Sequence, residues 1–277
     1  MSVMARENTI IKGDCIKVLA DELRGRGGEP FADLIFADPP FNIGYVYDKY
    51  DDKVEHEQYV QWTRQWMKAC YEVLAGHGSF WIAIGDDYAA EVRIIARELN
   101  LVMRNWIIWY YTFGQSTRRK FARSHTHIFY FVKDEENFIF NDEIIRVPSA
   151  RQTTYNDKRA NPKGKLPDDT WILRPQEMPE AFGADEDTWQ FSRVCGTFKE
   201  RTGFHGCQMP EKLLERIILV ASNPGDLVLD PFSGSGTTVV TASVLGRRYL
   251  GIEISGNYVR QSRERLKTSK TLFDVRT

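Results

Sequence analysis

The stretch LIFADPPFN, residues 34–42, places a carboxylate, two prolines and an aromatic ring directly after an apolar run. The run is typical of a buried strand, and each proline favours extended backbone in the residue before it. Asp38 and the carbonyl of Pro39 are therefore predicted to be two hydrogen-bond acceptors that point the same way. Two such acceptors suit both hydrogens of an exocyclic amino group on a base, and Phe41 offers a face for the base to stack on. The alternative interpretation is a strained turn with a capping aspartate.

A second corner follows another apolar run, in VLDPFSGSGTT. Asp230 ends the predicted strand, and Gly234 and Gly236 would let a ligand approach the backbone before the next helix begins. A further strand ends at Glu253, where α/β nucleotide sites place a carboxylate for the ribose hydroxyls. The third glycine of a dinucleotide fingerprint is missing, because Val239 stands there. The whole unit predicts a nucleoside site without a pyrophosphate cradle, and a plain strand–helix turn is the alternative.

Alternating strand and helix signals must position these two corners. They predict one α/β domain over residues 1–277, with a mainly parallel sheet covered on both faces. In open α/β sheets ligands bind outside the carboxyl ends of the strands, so both corners are expected to face one crevice. Strands are predicted at 8–14, 32–38, 78–85, 103–112, 126–132, 227–230 and 248–253, and helices at 59–75, 87–99, 210–222, 237–245 and 256–267.

Residues 134–204 lack this alternation and contain prolines, charges and isolated tryptophans instead. A segment of that length is too long for an ordinary connection between two elements. We therefore expect an inserted region that interrupts the sheet domain.

Composition limits the possible partners and compartments. The net charge of the 277 residues is only -1, so any affinity for nucleic acid must come from a local basic face. The four cysteines contain no C-x-x-C pair, and Cys195 and Cys207 flank His205 with a spacing that fits no common zinc pattern. We expect no metal site and a reducing cytoplasm. The N-terminus lacks an apolar secretion signal, and Arg104 and Asn105 interrupt the most apolar window, so no membrane segment is expected.

One basic cluster stands out, in STRRKFARSHTH, just after a strand that should end near the crevice. Positive charges there suit contacts to DNA phosphates, and a solvated surface loop is the alternative. The candidate DNA-binding residues are Arg118, Arg119, Lys120 and Arg123.

Both corners resemble motifs of one family, the S-adenosylmethionine-dependent DNA amino-methyltransferases. ADPPFN is similar to their catalytic D/N/S-P-P-Y/F motif, and LDPFSGSGTT is similar to their cofactor loop. The segment at 200–218 resembles the one that precedes that loop. The catalytic motif comes first, which is the permuted order of the β group. Over residues 8–132 and 200–265, the resemblance implies a circularly permuted, Rossmann-like methyltransferase sheet, with 134–204 as the inserted target-recognition region.

The resemblance also implies residue roles. Asp38, Pro39 and Phe41 would serve the target base, Asp14 would lie near the cofactor adenine, and Glu253 would bind its ribose. The full set implied for S-adenosylmethionine is Asp14, Cys15, Asp230, Phe232, Ser233, Gly234, Ser235, Gly236, Thr237, Thr238 and Glu253. The chain departs from the family pattern at Phe41, where Tyr is commoner, at His205-Gly206, where His-Pro is usual, and at Met209, where Lys is usual.

The implied activity is methyl transfer to N6 of an adenine flipped out of double-stranded DNA. Cytosine N4 is the alternative target, although enzymes that act there more often carry Ser-Pro-Pro than the Asp-Pro-Pro of this chain. More remote alternatives are an NAD-dependent oxidoreductase and a non-enzymatic DNA-binding module. The resemblance also allows a cognate restriction endonuclease and a second copy of the chain as partners.

Overall fold

The computed structural model describes residues 6–115, 119, 121, 123–169, 194 and 201–269. Within these residues, seven strands form one sheet and seven α-helices surround it. The strands are β1 (Thr9–Lys12), β2 (Ala32–Ala37), β3 (Leu74–Ile84), β4 (Val102–Gln115), β5 (Arg123–Val132), β6 (Leu227–Asp230) and β7 (Arg248–Glu253). The helices are α1 (Cys15–Gly25), α2 (His56–Val73), α3 (Ala89–Glu98), α4 (Ala150–Thr153), α5 (Glu211–Ala221), α6 (Thr237–Val244) and α7 (Gly256–Thr268).

The strand order is β1-β7-β6-β2-β3-β5-β4, and the predicted mainly parallel sheet is confirmed. The first five strands in this order run parallel, whereas β5 is antiparallel to both β3 and β4. At the centre, β2 pairs with β6 through Leu34 with Val228 and Ile35 with Leu229. From β2 the chain proceeds to β3, and from β6 it proceeds to β7 on the opposite side. The carboxyl ends of β2 and β6 thus meet at the switch point of the sheet, where α/β folds bind ligands.

Helices cover both faces of the sheet, which explains why the central strands are apolar at consecutive positions. Ile35 and Phe80 belong to the core under α1, α2 and α3. Their neighbours Leu34 and Trp81 belong to the core on the other face, under α5 and the end of α6. The residues of β2 and β3 alternate between these two cores, because successive side chains of a strand point to opposite faces.

Several element boundaries differ from prediction, and three of the differences have a clear physical cause. Helix α1 was not expected, although Asp14 caps it by accepting a hydrogen bond from the backbone N–H of Lys17 at 3.1 Å. Helix α2 ends at Val73 rather than near Gly76, because Leu74 is already extended and pairs with β2 through Ala32. Strand β4 continues to Gln115 because it pairs with β5 along most of its length.

The predicted insertion is irregular where the structure describes it. Residues 134–169 contain a short 3-10 helix at Asp142–Ile145 and the four-residue α4. The Asn141 side chain donates hydrogen bonds to the carbonyls of Leu219 (3.0 Å) and Ser222 (2.9 Å), which docks this part at the end of α5. Residues 170–193 and 195–200 lie outside the described part, so the function predicted for 134–204 stays a prediction. In the described ranges, none of the helices has both the length and the apolarity needed to cross a membrane.

Candidate active site

One cavity of about 680 Å³ opens at the switch point and joins the two predicted corners. Its volume lies within the range of small-molecule and cofactor sites. Asp38, Pro39 and Phe41 line it from the end of β2, and Glu253 lines it from the end of β7. Of the residues implied for the cofactor, the lining set is Asp14, Cys15, Asp230, Phe232, Ser233, Gly234, Ser235, Thr237, Thr238 and Glu253. The expectation that both corners face one crevice is therefore met by the geometry.

The first corner is held by packing and by one hydrogen bond. Asp38 is half-buried and Pro39 is buried. The hydroxyl of Tyr59 in α2 donates to the carbonyl of Pro40 at 2.5 Å, whereas none of the described residues donates a hydrogen bond to the carbonyl of Pro39. The ring of Phe41 lies against Gly85, where an added Cβ would be 3.2 Å from the ring. The Pro39 carbonyl and the Asp38 carboxylate are thus placed as acceptors beside an aromatic ring.

A loop held by several hydrogen bonds follows this corner, residues 42–54, which we call the strap. The carboxylate of Asp52, only 1% exposed, accepts the backbone N–H groups of Asn42 (2.7 Å), Ile43 (3.2 Å) and Tyr45 (3.0 Å). The middle of the strap is hydrogen-bonded to the residues that follow β7, because the Ser255 hydroxyl donates to the carboxylate of Asp48 at 2.5 Å. The strap therefore runs from the catalytic corner to the N-terminus of α7.

The second corner is a glycine loop in which two glycines have left-handed backbone. Gly234 has φ 45° and Gly236 has φ 77°, a conformation that favours glycine. At Gly236 a Cβ would also lie 2.8 Å from Cβ of Ser262, so this glycine allows α7 to pack closely although it does not line the cavity. The hydroxyl of Ser233 is buried with no hydrogen-bond partner among the described atoms. This hydroxyl lies against Gly251 of β7, where an added Cβ would be 2.8 Å from it, so it is enclosed by the protein rather than open to the cavity.

Glu253 is pinned by backbone donors on both of its oxygens. Oε2 accepts the N–H of Gly234 at 2.9 Å, and Oε1 accepts the N–H of Ser255 at 2.7 Å. Each carboxylate oxygen has a further lone pair, so the group can still accept two hydroxyl donors. Burial raises the pKa of Glu253, although these two N–H groups and that of Ile254 oppose the rise.

Asp230 is the most buried carboxyl group of the cavity. It accepts the N–H of Phe232 at 3.0 Å and the hydroxyl of Thr238. Burial raises the pKa of Asp230 to about 7, with a further contribution from the negative charge of Glu253. A cationic ligand beside these carboxylates would favour their charged forms.

Asp14 and Cys15 reach the same cavity from the end of β1. Lys12 pairs with Glu253 in the sheet, and the N–H of Gly13 donates to the Glu253 carbonyl at 2.9 Å. The turn to α1 therefore lies beside the end of β7. Burial raises the pKa of Cys15 to about 12, so this residue contributes shape rather than a thiolate.

Sequence reasoning missed the aromatic wall of the cavity. Tyr47, Tyr50 and Trp62 line it, and the rings of Tyr50 and Trp62 lie 5.6 Å apart. The hydroxyl of Tyr45 lies so close to Gly206 that a Cβ there would be 1.5 Å away. This contact explains why the chain carries glycine at a position where the family usually has proline. The three tyrosines of YVYDKY, directly after the catalytic motif, were the available signal.

His205 also lines the cavity, in the segment whose role the sequence left open. Its Nδ1 accepts the N–H of Cys207 at 3.3 Å, and burial lowers the pKa of His205 to about 4. The imidazole is therefore neutral at physiological pH. It packs against Gly234, where a Cβ would lie 2.9 Å from Nε2, so it supports the glycine loop.

The predicted basic cluster is only partly brought to the site. Arg118 and Lys120 lie outside the described residues, and Arg119 is exposed and does not line the cavity. Arg123 does line it, with Nε 2.8 Å from Asp86 and NH1 3.1 Å from Asp87. The Asp87 hydrogen bond raises the pKa of Arg123. Two carboxylates of the protein therefore already pair with the guanidinium of Arg123.

Asp86, His125 and His127 form the one group among the described residues whose ligand atoms are close enough for a metal ion, within 4.8 Å. The indole N–H of Trp106 donates to Nδ1 of His127 at 2.9 Å. The proton of neutral His127 is therefore on Nε2, which lies 3.1 Å from Asp86. Because Arg123 already pairs with Asp86, the geometry describes a hydrogen-bonded ion cluster rather than an open set of metal ligands.

Comparison with known proteins gives a consistent result. The family model described as DNA methylase matches residues 32–264. The chain is 36% identical over 244 residues to the type II methyltransferase M.HpaI of Haemophilus parainfluenzae, a match that covers 87% of this chain and 70% of the relative. It is 34% identical over 261 residues to the DNA adenine methyltransferase YhdJ of Escherichia coli K12, covering 93% and 82%.

Solved structures show the same fold at lower identity. The M1.HpyAVI–SAM complex superposes with a TM-score of 0.61 at 22% identity, covering 93% of this chain and 98% of the other. The cytosine-N4-specific PvuII DNA methyltransferase superposes with a TM-score of 0.60 at 18% identity, covering 94% and 86%. The predicted Rossmann-like architecture is therefore confirmed.

Proposed function

Because this chain belongs to the DNA methylase family of S-adenosylmethionine-dependent amino-methyltransferases, we propose that its cavity transfers a methyl group to N6 of a flipped adenine in DNA. The observation that carries the proposal is the meeting of the Asp38 corner and the glycine loop at the switch point of one sheet. One corner has the acceptors that an exocyclic amine needs. The other has the glycines and carboxylates that a cationic nucleoside needs.

The cofactor half of the cavity fits S-adenosylmethionine by charge and shape. The carboxylate of Glu253 would accept the ribose hydroxyls, and Asp14 would lie near the adenine. Asp230 and Glu253 place two carboxyl groups beside the glycine loop, and a cationic ligand there would favour their charged forms. When bound, S-adenosylmethionine supplies an electrophilic methyl group whose bond to sulfur breaks as sulfur takes the electron pair.

The catalytic half of the cavity works by positioning. The carboxylate of Asp38 and the carbonyl of Pro39 would each accept one amino hydrogen of the adenine, which draws the nitrogen lone pair out of conjugation with the ring. Phe41 would stack on the base, and such a contact contributes about 1–3 kcal/mol toward the cost of extrusion. The nitrogen attacks directly, so no covalent bond to the protein is required, and the methylated nitrogen releases one proton to water once the new carbon–nitrogen bond has formed. Fixed acceptors of this kind lower the barrier because they need no reorganisation during the reaction.

The experiment is expression of the chain in a host without adenine methylation, followed by modified-base sequencing of the genome. We expect N6-methyladenine at one short sequence, and the Asp38→Ala variant is the matched control. Mass spectrometry of the digested DNA distinguishes the two candidate atoms, because N4-methylcytosine alone would refute adenine and spare the mechanism. Unmodified DNA from a folded, cofactor-binding protein would refute the proposed activity.

Partners beyond DNA extend the proposal. Two relatives, M.HpaI and M.BglII, are named type II methyltransferases, which supports pairing with a restriction endonuclease of the same site. A cytoplasmic location follows from a chromosomal substrate. Self-association into a homodimer is part of the same proposal, and light scattering of the purified chain tests it.

A further inference from the structure

The strap carries two strongly exposed apolar side chains beside the catalytic corner. Ile43 is 58% exposed and Val46 is 89% exposed. Ile43 stands two residues after Phe41 and lies at the rim of the cavity. Exposed apolar side chains that occur singly need no explanation, but an isoleucine held at the rim of a substrate site, with an exposed valine three residues later, indicates a contact with the substrate.

The strap holds these side chains outward and prevents them from collapsing onto the core. Besides the three N–H groups bound by the Asp52 carboxylate, the N–H of Gly44 donates to the Asp52 carbonyl at 2.6 Å. The side chain of Asn42 bonds to both the N–H and the carbonyl of Val54, at 2.8 and 2.9 Å. Asn42 and Gly44 both have positive φ, near 58° and 79°, which turns the chain sharply on either side of Ile43. The position of Ile43 is therefore fixed by backbone geometry.

Alternation along the strap sends neighbouring side chains to opposite sides. Tyr45 and Tyr47 line the cavity, and their ring centroids lie 4.8 Å apart. Val46 stands between them, pairs with Asp51 in an antiparallel bridge, and does not line the cavity. A strand-like segment must place Val46 opposite its two neighbours. Tyr45 and Tyr47 thus lie on the inner side of the strap, which faces the cavity, and Val46 lies on the outer side, which faces solvent.

We infer that Ile43, at the rim of the cavity, is an apolar wedge that enters the DNA duplex where the target adenine has left the stack, and that Val46 on the outer side of the strap is a second apolar contact to the DNA. The inference rests on the proposed function, because it requires a base extruded beside Phe41. Extrusion leaves a gap lined by the faces of the two adjacent base pairs, and apolar side chains inserted between base steps stabilise unstacked DNA. The strap begins directly after Phe41, the residue that would stack on the flipped base, so Ile43 lies two residues from that contact.

The test compares two substrates that differ only in the cost of extrusion. Both are duplexes with the methylated sequence found by genome sequencing; in one the target adenine faces thymine, and in the other it faces an abasic site. For Ile43→Ser combined with Val46→Ser, we expect the single-turnover rate on the paired duplex to fall at least about tenfold. On the abasic duplex we expect a change below about threefold, since less stacking and pairing must be broken. The matched control is Ile94→Ser, which removes an isoleucine 47% exposed on α3.

A second readout follows extrusion directly. With 2-aminopurine at the target position, the wild type should increase the fluorescence of the paired duplex on binding, and the double variant should produce less of this increase at saturation. Equal loss of rate on both substrates would show damage to the cavity and overturn the wedge. Unchanged rates on both would overturn it as well. If the wild type itself methylates neither duplex, the proposed function fails first, and that result is distinct from any difference between variants.

Discussion

The substitution Glu253→Gln tests whether the end of β7 binds the ribose of the cofactor. Both oxygens of Glu253 already accept backbone N–H groups, from Gly234 and from Ser255. A glutamine has one acceptor oxygen, so it can satisfy one of these N–H groups while its own NH₂ faces the other. The charge that would strengthen a hydrogen bond from a ribose hydroxyl is also lost.

The expected magnitude follows from these contacts. A hydrogen bond to a charged group contributes about 1.5–3 kcal/mol, so losing one such bond to the ribose should weaken S-adenosylmethionine about 10- to 150-fold. The orphaned N–H should also destabilise the protein without cofactor by about 1–3 kcal/mol. The affinity for S-adenosylmethionine and the free energy of unfolding should both decrease, because the carboxylate organises the glycine loop and is expected to bind the ligand.

Isothermal titration calorimetry with S-adenosylmethionine measures the first effect, and urea unfolding without cofactor measures the second. Glu264→Gln is the matched control, because Glu264 is an exposed carboxylate of α7 that pairs with Lys267. Its affinity should equal that of the wild type. If Glu253→Gln loses stability but retains full affinity, the carboxylate supports the loop alone and the ribose assignment is wrong.

Three further outcomes are expected. Asp38→Ala should lower the methyl-transfer rate at least about 10²–10³-fold with cofactor affinity largely retained, and near-normal turnover would refute its role. Burial raises the pKa of Asp230 to about 7, so the native state keeps a proton that the unfolded chain releases near pH 4, and the free energy of unfolding without cofactor should fall as pH rises toward 7. Asp230→Asn should remove a slope of up to about 1.4 kcal/mol per pH unit from this pH dependence. Urea unfolding from pH 5 to 8 measures it, and equal slopes for the wild type and the variant would contradict the prediction. Arg118→Ala combined with Arg119→Ala should weaken binding to all DNA sequences and reduce the salt dependence of binding. Arg151→Ala in the insertion should instead change the discrimination between cognate and mismatched sites. Methylation rates and salt titrations measure both effects, and the reverse pattern would exchange the two assignments.

The two corners could be predicted because their chemistry is local. A buried strand that ends in Asp-Pro-Pro, or in Asp followed by a glycine loop, specifies a turn at the carboxyl edge of a sheet wherever the strand is placed. The general rule for open α/β sheets then brings Asp38 and Asp230 to the same edge. What the sequence could not specify is that β2 and β6 are direct neighbours, since that depends on pairing across almost 200 residues.

Other parts of the site depend on long-range pairing, which the sequence does not reveal. The antiparallel pairing of Ile84 with His127 brings the start of β5 beside Asp86, where Arg123 forms an ion pair, and the contact of Arg123 with DNA phosphates stays a prediction. The strap has no periodicity that a strand or helix pattern would reveal. Its shape comes from one buried aspartate, Asp52, and no local signal distinguishes that residue from the acidic residues around it.

The pairing of β2 with β6 also imposes an order of events during synthesis. Strand β2 emerges early, but its partner on one side, β6, is made some 190 residues later, and the outer strand β1 waits still longer for β7. Until then one edge of β2 is unpaired, with Ile35 and Phe36 beside it. Exposed apolar strand edges are prone to pair with other chains. The catalytic corner thus lies on a segment of the nascent chain that is open to pairing with other chains until residues 227–253 leave the ribosome.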